Sequence, residues 1–112
     1  MSQLTTHILD TSKGKPAEDV IIILYHGELD DWTEIARDRT NIDGRIPGLL
    51  PEGLLLEPGA YKLHFETREY FDRHKIKTFY PYVEIFFEVD SAEHYHVPLL
   101  LNPYGYSTYR GS

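Results

Sequence analysis

The stretch Val83-Glu84-Ile85-Phe86-Phe87-Glu88-Val89 alternates with the two-residue period of a β-strand. One of its faces carries four apolar residues, and the other carries two glutamates and Phe86. Residues 60–66 repeat the pattern, with a leucine or an aromatic residue at every second position from Tyr61. Both segments are therefore predicted to be half-buried strands that cover a common core with one face.

Turns and further short patterned segments flank these two strands. Pro47-Gly48, Pro58-Gly59 and similar pairs recur at short intervals, which is typical of an antiparallel sandwich. We predict an all-β fold, a two-sheet antiparallel sandwich with one short α-helix, in a single domain of residues 1–112. Residues 67–75 break the strand period and are predicted to form the helix, with Thr67 as N-cap. The other predicted strands are residues 4–9, 20–25, 94–101, 104–109 and the charged edge strand 32–40.

The composition excludes several classes of function. A net charge of −7 over 112 residues disfavours nucleic acid and anionic membrane surfaces, since both require clustered Lys and Arg. No apolar run approaches the ~20 residues of a membrane span, and no signal peptide is evident. The lack of cysteine removes disulfides and thiolate metal sites. We expect no nucleic-acid partner, no membrane association and a cytoplasmic location.

The last nine residues, Tyr104-Gly105-Tyr106-Ser107-Thr108-Tyr109-Arg110-Gly111-Ser112, have the pattern of a strand at a position where most chains are irregular. They bring a phenol, a guanidinium, a hydroxyl and an α-carboxylate within a few residues of each other. Such a set of groups suits a binding site. An ordinary final strand with a polar end carries equal weight on physical grounds.

Two further segments carry side chains that can take part in catalysis. His7 lies in Thr5-Thr6-His7-Ile8-Leu9-Asp10, on the strand face that also carries Thr5. Arg45 follows the tight turn at Asp43-Gly44, from which its guanidinium could hold a planar anion through a bidentate fork. Taken singly, a packed strand histidine or a solvated turn arginine is the more common explanation of such a motif.

His94 and His96 stand two residues apart in a predicted strand, so both imidazoles share one face. Together with His7 they could bind zinc, or one of them could act as a general base, because imidazole titrates near neutral pH. The chain has no nucleophile elbow, phosphate-binding glycine loop or dinucleotide fingerprint. Without a thiol, and with no hydroxyl or lysine beside an obvious base in sequence, the expected nucleophile is an activated water.

Together these motifs resemble the transthyretin-related 5-hydroxyisourate hydrolases over essentially the whole chain. Asn102, before Pro103, departs from the family, in which serine is more usual, but lies outside the functional residues. The terminal tetrapeptide is the most discriminating motif, because the hormone-carrying transthyretins share the fold but lack it. The matching motifs are Leu4-Thr5-Thr6-His7-Ile8-Leu9-Asp10, Gly14-Lys15-Pro16-Ala17, Thr40-Asn41-Ile42-Asp43-Gly44-Arg45, Phe79-Tyr80-Pro81-Tyr82-Val83-Glu84, His94-Tyr95-His96-Val97-Pro98-Leu99-Leu100-Leu101 and Tyr109-Arg110-Gly111-Ser112.

The resemblance implies a transthyretin-like sandwich that assembles as a homotetramer, a dimer of dimers, with active sites in the central channel. It also implies which residues form the site, with His94 as a neighbour. The implied catalytic residues are His7, Arg45, His96 and Ser112, and the implied substrate-binding residues are Tyr109, Arg110 and Gly111.

The implied reaction is hydrolysis of 5-hydroxyisourate, a planar purine derivative, to 2-oxo-4-hydroxy-4-carboxy-5-ureidoimidazoline in urate breakdown. His7 and His96 would flank the attacking water, and Arg45 would stabilise the developing negative charge, with no cofactor or metal needed. Which histidine is the base stays open from the sequence. The alternatives are a non-catalytic small-molecule carrier with the same fold, and a zinc site formed by the three histidines.

Overall fold

A computed structural model describes residues 2–28 and 30–112, which form two four-stranded β-sheets and one short helix. This architecture confirms the predicted two-sheet sandwich with a single helix. The short helix of the described residues cannot cross a membrane. The elements are β1 (Leu4–Asp10), β2 (Lys15–Pro16), β3 (Ile21–Glu28), β4 (Asp31–Arg39), β5 (Gly59–Phe65), α1 (Thr67–Arg73), β6 (Val83–Val89), β7 (Tyr95–Asn102) and β8 (Gly105–Thr108).

The strand order is β2-β1-β7-β8 in the first sheet and β4-β3-β5-β6 in the second. The charged strand β4 lies at an edge, as predicted. The structure differs from the predicted antiparallel pairing at one place, since β1 and β7 run parallel from Leu4 opposite Tyr95 to Asp10 opposite Leu101. The two strands are far apart in the chain and no hairpin joins them, so their own alternation could not indicate their relative direction.

The inward faces of the two sheets form one hydrophobic core. In β1, Leu4 and Ile8 are buried in this core, at 1% and 0% exposure. The period of two then directs Thr5 and His7 to the opposite face of the first sheet, where both are half-buried. The strand pattern of β1 therefore brings the polar residues of the motif to one surface.

The helix differs from its prediction at both ends. Its N-cap is Glu66, which makes no side-chain capping bond, and Thr67 is already helical. Thr67 shares the buried stripe of Tyr70 and Phe71, so its hydroxyl lies inside and has no hydrogen-bond partner among the described residues. The predicted N-cap role of Thr67 is thus wrong. The helix ends at Arg73 because Lys75 adopts a left-handed backbone conformation with φ of 57°.

A buried carboxylate ties the end of β1 to the helix. Asp10 is fully buried and accepts hydrogen bonds from the Tyr70 hydroxyl at 2.7 Å and the Ser12 hydroxyl at 2.6 Å. Burial by itself would raise the pKa of Asp10, but these donors outweigh it and hold that pKa below its ordinary value. The ionised carboxylate thus anchors β1, and with it the polar face of that strand.

Replacing Tyr70 with phenylalanine is expected to lower the free energy of unfolding by about 1–3 kcal/mol, because a buried carboxylate loses one of its donors. Denaturant unfolding measures the change. Tyr104→Phe is the matched control, since Tyr104 is exposed and its loss of a hydroxyl should leave the midpoint in place. Equal midpoints for the two variants would show that the bond to Asp10 contributes nothing.

Candidate active site

His7 and His96 meet on the polar face of the first sheet. They come from neighbouring parallel strands, in a register that places Thr5 opposite His96. The His96 Nε2 and His7 Nδ1 atoms are 2.9 Å apart, and the ring centroids are separated by 4.9 Å. His96 is only 8% exposed, whereas His7 is half-buried. The structure therefore joins two histidines that lie far apart in sequence into one hydrogen-bonded pair.

Arg45 reaches this pair through a turn built by Asn41. The Asn41 side-chain oxygen accepts the Asp43 N–H at 2.9 Å and the Arg45 N–H at 3.1 Å, as in an Asx turn. Gly44 has a φ of 73°, and a Cβ there would lie 2.5 Å from the Ile8 carbonyl oxygen, so only glycine fits. The Gly44 carbonyl instead accepts the Ile8 N–H at 2.9 Å. The turn thus docks on β1 and pairs Arg45 with His7.

The guanidinium of Arg45 is an uncompensated charge beside the histidines. Arg45 is exposed and forms no ion pair within residues 2–28 and 30–112. Burial lowers the pKa of His7, and the positive charge of Arg45 and the electrostatic interaction with His96 lower it further. Burial and Arg45 likewise lower the pKa of His96, with an added contribution from His94. Both imidazoles are therefore neutral near pH 7 and able to accept a proton.

The tail meets the pair at Gly111. Its N–H donates to the His96 carbonyl at 2.8 Å, forming an isolated bridge between the tail and β7. A Cβ at position 111 would lie 2.6 Å from the His96 Cδ2 atom, so the backbone of the tail lies directly against the imidazole. Ser112 follows and is exposed, with no hydrogen bond to any described residue. The structure therefore brings Gly111 to the predicted site, with Ser112 beside it.

The side chains of Arg110 and Tyr109 face other parts of the protein and not the histidine pair. The Arg110 guanidinium forms an ion pair with Glu93 and lies 4.5 Å above the Tyr95 ring. Tyr95 precedes His96 in β7, so its ring lies on the opposite face of that strand. Tyr109 is exposed and lines a cavity of about 270 Å³ together with Arg110 and residues of β6. Substrate binding by these two residues stays a prediction.

Sequence reasoning missed Thr5 as a member of this cluster. Its Oγ1 atom lies 2.8 Å from His94 Nε2 and 2.8 Å from His96 Nδ1. The only signal was its position two residues before His7 on the same strand face, which does not by itself indicate a function. His94 is held at the edge of the site through Thr5, which agrees with its prediction as a neighbour.

The three histidines do not converge on a common point. His96 directs one ring nitrogen to His7 and the other to Thr5, and the Nε2 of His94 also faces Thr5. A metal ion would need three or more lone pairs aimed at one centre. Within the described residues no group of His, Asp and Glu side chains has that geometry. The three histidines and Thr5 instead form a hydrogen-bonded chain, and the guanidinium of Arg45 lies close enough to His7 and His96 to lower their pKa values.

The fold and this cluster define a class of protein: a two-sheet β-sandwich that presents a neutral imidazole pair and an exposed guanidinium on one sheet face. Such a set of groups can move a proton and stabilise negative charge at one small-molecule site. Comparison with known proteins gives the family. The chain belongs to the HIUase/Transthyretin family, whose sequence model matches residues 4–111.

Named relatives and solved structures agree with this assignment. A mouse (Mus musculus) protein named 5-hydroxyisourate hydrolase is 46% identical over 114 aligned residues, which cover 99% of this chain and 96% of the mouse protein. The structure of Klebsiella pneumoniae 5-hydroxyisourate hydrolase has a TM-score of 0.87 and 38% identity, covering 99% of this chain and 100% of that one. Sea bream transthyretin in complex with thyroxine has a TM-score of 0.89 and 31% identity, covering 97% and 94%.

Proposed function

We propose that this chain hydrolyses 5-hydroxyisourate, the substrate named for its mouse and Klebsiella relatives. The observation that carries the proposal is the 2.9 Å contact between His7 and His96 beside Arg45, which forms no ion pair with the described residues. Two neutral imidazoles and an exposed guanidinium are suited to adding water to a carbonyl group. The product is 2-oxo-4-hydroxy-4-carboxy-5-ureidoimidazoline.

The reaction needs one proton removed from the attacking water and one proton delivered to the ring nitrogen that leaves. A water oxygen bonds to a ring carbonyl carbon while its proton passes to an imidazole nitrogen. The negative charge that develops on the carbonyl oxygen is stabilised by the guanidinium of Arg45. When the carbonyl forms again, the bond from its carbon to the ring nitrogen breaks, and that nitrogen takes the proton back from the imidazole. Water is consumed and the histidine is regenerated.

We assign the base to His7. Both ring nitrogens of His96 are engaged within the protein, one by His7 and one by Thr5. His7 uses only Nδ1, and its Nε2 makes no hydrogen bond to any described residue. His7 is also the more exposed of the two. His96 then orients the His7 ring through the contact between His96 Nε2 and His7 Nδ1.

The tail is proposed to close one side of the site. Gly111 packs on the His96 ring and sets the position of Ser112, whose polar groups would contact the substrate edge together with Tyr109. Arg110 fits a different role from its neighbours, because its ion pair with Glu93 and its stacking on Tyr95 attach the tail to β7. We propose that Arg110 fixes the tail and so acts on substrate binding indirectly.

Gly111→Ala is expected to lower kcat by about 10²-fold, since the added methyl group would displace either the tail or a ring that Thr5 and His7 hold in place. Steady-state hydrolysis of 5-hydroxyisourate measures the effect. Gly105→Ala is the matched control, because a Cβ there meets its nearest neighbour at an ordinary 3.6 Å. Wild-type rates for Gly111→Ala would exclude close packing of the tail during turnover.

We also propose a homotetramer, a dimer of dimers, that works in the cytoplasm. The site in one chain is open on the side of Arg45, which is exposed, and large aromatic residues near the end of the chain are also exposed, including Tyr106 and Tyr109. Exposed aromatic clusters are typical of interfaces, and a partner chain would enclose the site and exclude water. The family assignment supports the same assembly.

A carrier function is the second candidate, favoured by the similarity to a transthyretin in complex with thyroxine. The site itself argues against it. An apolar ligand would have to cover a guanidinium and two imidazoles without satisfying their hydrogen bonds, which costs free energy. A planar substrate rich in carbonyl and N–H groups satisfies them.

The experiment adds the purified protein to 5-hydroxyisourate generated in place from urate and urate oxidase. The loss of the substrate's ultraviolet absorbance is followed against its spontaneous decay. We expect acceleration at protein concentrations far below that of the substrate. An unchanged decay, together with stoichiometric binding of thyroxine, would replace the hydrolase by the carrier.

A further inference from the structure

A continuous chain of four polar side chains runs across the first sheet, from His94 through Thr5 and His96 to His7. The Thr5 Oγ1 atom is 2.8 Å from His94 Nε2 and 2.8 Å from His96 Nδ1. The His96 Nε2 atom is 2.9 Å from His7 Nδ1. Each link joins a nitrogen to a hydroxyl or to another nitrogen at hydrogen-bond distance. The proposed hydrolysis uses only the last link.

The central hydroxyl restricts the protonation of its neighbours. A threonine hydroxyl carries one hydrogen, so Thr5 can donate to only one of the two imidazoles and must accept from the other. A neutral imidazole likewise has one N–H and one bare nitrogen. Once the direction of the Thr5 hydrogen is chosen, the positions of all ring protons along the chain follow.

In the first arrangement Thr5 donates to His94 Nε2. Thr5 then accepts from the Nδ1–H of His96, whose bare Nε2 accepts from the Nδ1–H of His7. This leaves the His7 Nε2 atom without a proton, which is the form required of a general base.

In the second arrangement Thr5 donates to the bare Nδ1 of His96 and accepts from the Nε2–H of His94. The Nε2–H of His96 then donates to the bare Nδ1 of His7. The remaining ring nitrogen of His7 now carries its proton, which is the form required of a general acid.

We propose that Thr5 is a positioning residue that couples the protonation of His94 to that of His96 and His7, so that the transfer of protons along the chain converts His7 from base to acid. Thr5 and His94 touch no substrate in this scheme and act through His96. The use of His7 as base rests on the proposed hydrolysis, whereas the coupling of the ring protons does not.

The proton balance of the chain is complete. When His7 takes a proton on Nε2, its Nδ1 proton moves to His96 Nε2, and the Nδ1 proton of His96 moves to the Thr5 oxygen. The former Thr5 proton moves to His94 Nε2. His7, Thr5 and His96 are then neutral, and the positive charge lies on His94. The reverse sequence returns His7 to its first form, or His94 releases the proton to solvent.

The sheet holds the four groups in place for this transfer. Thr5 lies opposite His96 in the parallel ladder, and the rings of His94 and His96 are stacked with centroids 6.4 Å apart. The carbonyl of His94 accepts a hydrogen bond from Arg110 at 3.4 Å, so the outer end of the chain lies beside the Arg110–Glu93 ion pair. The Glu93 carboxylate partly offsets the nearby cations when His94 becomes charged.

The test compares Thr5→Val, which keeps the shape of the side chain and removes the hydroxyl, with Thr5→Ser, which restores it. Thr6→Val is the matched control, because the Thr6 hydroxyl also donates across the same strand pair, to the Val97 carbonyl at 2.6 Å, but on the core side. Two quantities are measured: kcat for 5-hydroxyisourate, and the imidazole ¹⁵N chemical shifts that report which ring nitrogen carries the proton.

We expect Thr5→Val to lower kcat by about 10- to 100-fold, by analogy with the loss on removing the hydrogen-bond partner that orients a metal-ligating histidine. Thr5→Ser should recover most of the rate. In the spectra, Thr5→Val should change the tautomer populations of both His94 and His96. Thr6→Val should lower the free energy of unfolding and leave these tautomer populations unchanged.

An unchanged kcat and unchanged imidazole shifts in Thr5→Val would overturn the inference, as would equal losses of rate in Thr5→Val and Thr6→Val. Failure of the proposed function gives a different result. In that case the wild-type protein is inactive towards 5-hydroxyisourate, but Thr5→Val still changes the tautomers of His94 and His96 together.

Discussion

Replacing His7 by asparagine is expected to lower kcat for 5-hydroxyisourate by about 10²- to 10⁴-fold, the range of general acid–base catalysis. The asparagine side chain keeps a polar atom near the position of Nδ1, so the contact with His96 can persist. It removes Nε2, the ring nitrogen of the pair that makes no hydrogen bond to any described residue and can therefore meet a water. Steady-state rates at saturating substrate measure the change.

His74→Asn controls for the loss of an imidazole in general. His74 lies just beyond the helix, where its ring contacts Lys13 and Tyr70. We expect this variant to keep wild-type kcat. If His7→Asn also kept it, while unfolding at the same denaturant concentration as the wild type, His7 would not be the base.

Arg45→Gln should have the second large effect, a fall in kcat/KM of about 10²- to 10³-fold, because the developing negative charge loses its stabilising cation. A second readout follows from electrostatics. Burial is the first cause of the low pKa values of His7 and His96, and the charge of Arg45 is the next. Removing that charge should raise both pKa values toward the ordinary value of about 6.5. An imidazole NMR titration measures them.

Arg45→Lys separates the charge of Arg45 from its shape. Lysine retains the positive charge, so the histidine pKa values should stay low, but it cannot offer two parallel N–H groups to a carbonyl or an anion. We therefore expect a loss of rate with little change in the titration. A fall of either histidine pKa in Arg45→Gln would contradict an electrostatic effect of the guanidinium on the two imidazoles.

The two histidines and Arg45 were predictable from sequence because each lies in a short local motif. His7 and His96 each lie in a segment whose residues alternate as in a β-strand. Arg45 follows an Asn-Ile-Asp-Gly sequence, which predicts a turn from its residue types alone. What joined them into one site was the resemblance to a family. Alternation alone could not show that β1 lies beside β7, since strand pairing across most of the chain leaves no local signal.

The remaining details depend on packing that a sequence does not display. Thr5 gains its role only because the parallel register sets it opposite His96. Thr67 is a good N-cap residue by type, but the buried face of the helix draws it inside. Arg110 was grouped with the substrate-binding tail, and the structure shows it engaged with Glu93 and Tyr95.

The pH dependence of kcat/KM for 5-hydroxyisourate is the most direct test of catalysis by a neutral histidine pair. Both folded pKa values lie below about 6.5, so His7 and His96 remain unprotonated at neutral pH and gain protons only in more acidic solution. We predict clear acceleration over spontaneous decay near pH 7, and an acid limb whose midpoint lies below about 6.5. Acceleration that stays constant down to about pH 4, well below the ordinary pKa of an imidazole, would contradict a histidine base.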